Sequence, residues 1–287
     1  MNRLSDLLLT SLAPIIWGSS YIVTTQMLPN MDPVSIAVLR ALPAGLLMLV
    51  WVRQLPSGLW IPRMFVLGAL NFSIFWGCLF FSAYRLPGGV AAILGALQPL
   101  IVIFAARAFL GHAVRPVALI AVLAGVGGIA LLLLTPKASL DGWGVTAGLL
   151  GAASMAVGTV LSRKWQPPVS ALTFTAWQLT AGGILLLPFL PLASTDWATL
   201  SSINILGLIY LSLIGAGLTY MIWFRGIARL QPSSVSVLGF LSPLSASILG
   251  WLILNETLGS LQLLGAIIAL ASVFLAQYAL RPKSQHA

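Results

Sequence analysis

Ten apolar runs, each near the about 20 residues a helix needs to cross a bilayer's hydrocarbon core, follow one another along the chain between charges and Pro/Gly clusters. They predict helices over 7–27, 34–52, 64–84, 88–109, 116–134, 142–163, 169–190, 203–224, 233–253 and 260–280. The first run follows Met-Asn-Arg in the manner of a secretory signal, but Pro14 directly after Ser11-Leu12-Ala13 disfavours cleavage there. It is read as a retained helix. The segmentation is tested by charge, because cytoplasmic loops collect Lys and Arg. Arg3, Arg53, Arg63, Arg107, Arg115, Arg163, Lys164, Arg225, Arg229, Arg281 and Lys283 fall at one set of ends, and only Arg85 and Lys137 at the other. One missed helix would scramble that sorting, so both termini are expected in the cytoplasm.

The pattern also repeats. Shifted by 144 positions, Arg85-Leu86 meets Arg229-Leu230, Leu94-Gly95 meets Leu238-Gly239, Leu97 meets Leu241 and Pro99-Leu100 meets Pro243-Leu244. A weaker match at an offset of 138 sets Gly45 on Gly183, Arg40 on Gln178, Trp17 on Met155 and Tyr21 on Thr159. Two related halves are implied, with boundaries expected at 1–137 and 138–287. Five helices per half is an odd number, so the second half enters the membrane from the opposite side. The expected fold is all-α and polytopic: ten transmembrane helices in two inverted five-helix repeats, the arrangement that places a substrate site at mid-membrane between the halves.

Composition removes other classes. With 59% hydrophobic and 7% charged residues and a mean hydropathy of +1.03, the chain is far from a soluble domain's quarter of charged residues. The net charge of +9 comes from basic residues scattered singly between apolar runs, which makes them topology signals and not a nucleic-acid surface. The lipid bilayer is the expected partner, with a small-molecule substrate and a monomeric state. Cys78 is the single cysteine, so no intrachain disulfide can form. His112 and His286, the only histidines, sit in a loop and the tail; neither a Ser-His protease nor a metal site is supported. No Walker-type loop is present, and no cofactor or metal is expected.

Pro99 and Pro243 lie in mid-helix, where each removes an amide hydrogen and displaces the carbonyl four residues earlier, that of Gly95 and Gly239. Both helices should kink, and Gln98 and Ser242 beside them should line protein or a wet cavity rather than lipid. A purely structural kink is the alternative. In the first span Trp17, Ser20, Tyr21 and Thr24 recur at helical spacing. Met155, Gly158, Thr159 and Ser162 occupy the matching stretch of span six, and Trp76 pairs with Tyr220 through the 144 offset. Together they would line a cavity for an aromatic or amphipathic molecule, although each alone could be helix packing. Arg40 is the one charge inside a span; it could snorkel, hold backbone carbonyls or reach a substrate carboxylate. All five carboxylates, Asp6, Asp32, Asp141, Asp196 and Glu256, fall near helix ends, which disfavours a proton relay at mid-depth. Trp51, Trp60, Trp143, Trp165 and Trp197 fall at helix ends, as headgroup anchors do.

Trp17-Gly18-Ser19-Ser20, Leu39-Arg40, Gln98-Pro99, Ser242-Pro243 and Asn255-Glu256-Thr257, in this order within five plus five helices, resemble the drug/metabolite transporter superfamily in its EamA-type branch. Where that branch often has Glu in the first half, this chain has His112. The resemblance implies a basket in which spans one, three, four, six, eight and nine enclose a central cavity while five and ten pack outside. It also implies export of amino acids and related metabolites, and the aromatic residues make the chain similar to YddG-type aromatic amino-acid exporters. The expectation is facilitated export of Phe, Trp, Tyr or Met by alternating access. Proton-coupled drug or metabolite export and a non-transporting scaffold remain open as rivals.

Overall fold

A computed structural model describes residues 2–86, 88–133, 141–255 and 257–281. Lys137, Glu256, Lys283 and His286 lie outside the described residues. Ten helices are long and apolar enough to cross a membrane: α1 Arg3–Met27, α2 Pro33–Val52, α3 Trp60–Ala83, α4 Val90–Leu110, α5 Pro116–Leu133, α6 Gly142–Lys164, α7 Ala171–Leu192, α8 Ser202–Arg229, α9 Pro232–Leu254 and α10 Ser260–Ala279. Their starts are set by short polar side chains that accept from otherwise orphaned amides: Asn2 from Ser5, Asp32 from Val34, Asp141 from Gly144, Ser170 from Thr173 and Ser201 from Asn204. Capping by Asn2 explains why α1 begins before the apolar run. At the other extreme, α8 continues past Phe224 because Arg225 and Arg229 both reach the Asp6 carboxylate instead of ending the helix.

The packing obeys the pseudo-two-fold relation that the repeats require. α1 lies against α8 and α9, and its counterpart α6 lies against α3 and α4; α2 packs on α7, and α5 on α10. The α2–α7 contact shows the 138 offset in space. A Cβ added at Gly45 would come within 2.6 Å of Thr180, and one added at Gly183 within 2.8 Å of Leu42; Leu42 and Thr180 are themselves 138 apart. Small residues here let two backbones approach where no hydrophobic effect operates between helices in lipid. The α5–α10 pair stands outside the central group, as the family resemblance implied.

Matching irregularities occur in the two halves. π-helical turns interrupt α3 at Ala69–Ser73 and α8 at Tyr210–Leu218, stretches that overlap at the 144 offset, and such turns free backbone groups at places that bind or move. Trp51 and Trp143 are 81% and 72% exposed at helix ends, and the Arg63 guanidinium lies over the rings of both Trp60 and Trp165 at the inner end.

Candidate substrate path

Spans α4 and α9 are each two helices in tandem. α4 breaks at Leu97 between Gly88–Ala96 and Gln98–Leu110, and α9 breaks at Gly239–Phe240 between Pro232–Leu238 and Leu241–Leu254. Each proline therefore sits in the first turn of the second segment, where its missing amide costs nothing. The Gly239 carbonyl is not left free: it accepts from the Ser242 amide at 3.0 Å. That short turn forms because a tight three-residue bond replaces the one the proline removed. A Cβ at Gly95 would meet open space, while one at Gly239 would approach Ser236 O at 2.9 Å.

Next to these breaks the centre of the protein is aromatic. Trp17 lies 4.9 Å from Tyr220 and 5.0 Å from Trp223 between ring centroids, and its Nε1 donates to Thr219 Oγ1 at 2.8 Å. Phe72 lies edge-on to Trp76 at 5.3 Å and to Tyr220 at 4.7 Å. The stack continues through Phe224 to Phe174 at 5.6 Å. There it meets a cleft of about 300 Å³ at the inner end, lined by Phe174, Phe224, Gln166, Val169, Arg225 and Arg229. Edge-to-face pairs of this kind add about 0.5–1.5 kcal/mol each beyond burial, so the rings form a cohesive plug between the inner cleft and the outer half.

Several buried polar side chains in the spans are unsatisfied or only partly satisfied. Ser20 Oγ, Gln98 Nε2 and Thr159 Oγ1 are buried atoms without a hydrogen-bond partner. Arg40 donates from Nη2 to Gly215 O at 2.8 Å and covers the Trp76 ring at 5.2 Å. Of the residues singled out from the sequence, Trp17, Trp76, Met155 and Tyr220 belong to one apolar core. Tyr21 lies apart from it and is 53% exposed. Ser242 faces α1, its carbonyl 2.7 Å from where a Gly18 Cβ would stand.

Each mouth carries an ion pair. At the inner end Asp6 of α1 binds Arg225 at 2.9 Å and Arg229 at 3.8 Å, with its side chain 9% exposed. At the outer end Asp141 at the start of α6 binds Arg85 at 3.6 Å, both well exposed. Arg85 and Arg229 are counterparts through the 144 offset.

A family model described as the EamA-like transporter family matches residues 4–134 and again 142–278. The chain belongs to the EamA-like transporter family. Among its relatives, protein PecM of Dickeya dadantii is 45% identical over 269 residues, covering 92% of this chain and 90% of PecM. The uncharacterized inner membrane transporter YedA of Escherichia coli K12 is 27% identical, covering 92% and 89%. A solved structure superposes with a TM-score of 0.84 over 98% of this chain and 99% of its own at 18% identity, which shows the fold. This EamA chain is thus a multi-pass membrane transporter.

Several residues of the EamA path escaped the sequence reading. Phe72, Trp223 and Phe224 look like ordinary apolar positions, and nothing in the pattern separates a plug ring from a lipid-facing one. Asn71 carried a usable signal, a lone amide in an apolar run of α3. It donates to Gln178 Oε1 at 2.7 Å and Ser162 Oγ at 3.2 Å.

Proposed function

We propose that this protein exports amino acids with aromatic or large neutral side chains, such as Phe, Trp, Tyr and Met, together with related metabolites, across the bacterial inner membrane. The halves at 1–137 and 138–287 rock about the plug in alternating access, in a monomer, and substrate moves down its own gradient. YedA, named as an inner membrane transporter, supports the location. The observation that carries the reading is the buried ring cluster of Trp17, Trp76 and Tyr220 with Arg40 over the Trp76 ring, in a chain whose Ser20, Gln98 and Thr159 keep buried polar atoms without partners. A ligand with an aromatic face and a polar head answers both. Proton coupling has no support at mid-depth, because the described carboxylates lie at helix starts or in the first turn.

The experiment is uptake of labelled amino acids by proteoliposomes without a pH gradient. Saturable flux of Phe, Trp or Met, exceeding that of small and cationic amino acids and reduced in Gln98→Ala, is the expected result. Flux that requires an imposed pH gradient would point to proton coupling, and equal flux of all amino acids would remove the aromatic preference.

A further inference from the structure

The two repeats place the same three positions together toward each end of the protein, and the two sets are filled differently. In the inner half, Gln178 of α7 meets Asn71 of α3, and the Asn71 amide lies against Gly158 of α6. The counterparts by the 138 and 144 offsets are Arg40 of α2, Gly215 of α8 and Ser20 of α1. They also meet: Arg40 Nη2 and Ser20 Oγ each lie 3.7 Å from where a Gly215 Cβ would stand. The contents differ. Where Gln178 has an amide side chain to bond, Arg40 has a glycine that offers one carbonyl at 2.8 Å.

Arg40 Nε and Ser20 Oγ are buried and without partners, as are Asn71 Oδ1 and Gln178 Nε2 of the inner set, but only the outer set carries a charge. A guanidinium carries five donors in a rigid fork, and among the described residues no carboxylate pairs with Arg40. A charge inside the membrane that lacks a counter-ion is costly and marks a ligand path. The Trp76 face steadies the cation from one side without using its in-plane donors.

We propose that the Arg40–Ser20–Gly215 corner is the receptor for a single carboxylate of the transported molecule, with Gly215 keeping open the space that Asn71 fills in the other half. The substrate class is then a monocarboxylate with an aromatic or large apolar body. Arg40 holds the carboxylate through its fork, Ser20 donates its hydroxyl, and the body lies toward Trp76 and Tyr220. This rests on the transport reading above for its substrate body, but not for the carboxylate.

The test is ligand-induced thermal stabilisation of the purified full-length protein by three probes: L-phenylalanine, phenylacetate, which lacks the amine, and phenethylamine, which lacks the carboxylate. Flux of labelled L-phenylalanine is measured in parallel. Expected are stabilisation by both carboxylates and none by the amine, and a rise of about 10- to 100-fold in the concentration needed by Arg40→Gln, with Arg40→Lys intermediate. Gly215→Asn, which puts the inner set's amide beside Arg40 while keeping the charge, should weaken the carboxylates likewise, so the test survives if Arg40→Gln does not fold. Stabilisation by phenethylamine equal to that by phenylacetate, no stabilisation by either carboxylate, or carboxylate binding untouched by both variants overturns the proposal. Arg40-dependent phenylacetate binding without phenylalanine flux sinks the amino-acid reading and leaves the carboxylate site standing; phenylalanine flux indifferent to both variants does the reverse.

Discussion

Removing the Asp6 carboxylate should release the inner mouth. Asp6 accepts from Arg225 at 2.9 Å and lies 3.8 Å from Arg229, with side-chain exposures of 9%, 21% and 49% in that order. Breaking a fully buried pair costs about 3–5 kcal/mol and an exposed one about 0–1 kcal/mol. The intermediate burial here, with one arginine half in water, places Asp6→Asn at about 2 kcal/mol, a shift of about 30-fold toward an opened inner end. The assay uses Cys78→Ser to remove the native thiol and Ala13→Cys as reporter. Ala13 is fully buried two turns deeper on α1, about 10 Å from Asp6 along the helix. Its reaction with maleimide in vesicles follows the population of the opened state and should rise about 10- to 30-fold in Asp6→Asn. At the outer mouth the Arg85–Asp141 pair is 3.6 Å long and exposed by 46% and 37%. Asp141→Asn keeps the helix cap and should raise labelling of an Ala91→Cys reporter by about fivefold at most. Equal rises at both reporters in Asp6→Asn would mean general loosening, and no rise at Ala13→Cys would mean that the pair does not hold the mouth. Either refutes the reasoning.

Trp17→Phe keeps a ring in the plug but loses the 2.8 Å bond to Thr219; stability should fall by about 1 kcal/mol in denaturant titration, and flux of aromatic amino acids should change with it. Asn71→Leu removes the amide shared by Gln178 and Ser162 and should cost about 0.6–2 kcal/mol, the range for polar contacts between membrane helices, read as a lower unfolding temperature. His112, in the inner loop between α4 and α5, is held below its ordinary pKa of 6.5 by burial and then by Arg163. Its neutral form is favoured in the folded state, so its contribution is full above pH 6.5 and is lost as the pH falls from there through the lowered value. Thermal unfolding temperature followed from pH 7.5 to 5 should decline less in His112→Gln than in wild type, and parallel curves would exclude this loop as the cause.

Much of this was legible because lipid imposes strong rules. Span length, loop charge and the 144 offset are written in residue types, and the ten helices, their inversion and the Arg85/Arg229 pairing follow from them. Helix ends were less legible: the start of α1 depends on Asn2 capping and the end of α8 on Asp6, a partner 219 positions away. The plug was legible only in part: Trp17, Trp76 and Tyr220 stood out in the sequence, whereas Phe72 and Phe224 differ from lipid-facing phenylalanines only by what stands opposite.

The departures from symmetry carry more functional information than the symmetry itself. Repeats that were perfect copies would close both halves alike, and alternating access around a fixed site asks only that the scaffolds match. Here Leu42 and Thr180 meet Gly183 and Gly45 at mirrored positions, so the α2–α7 scaffold kept its register. Arg40, Ser20 and Gly215 have diverged from Gln178, Gly158 and Asn71 within that same register. A charge stands where the other set has an amide, and beside it a glycine stands where the other set has an asparagine. Divergence at a frame held constant is what a site for an asymmetric ligand requires, since a molecule with one charged end and one apolar end cannot satisfy two equal halves.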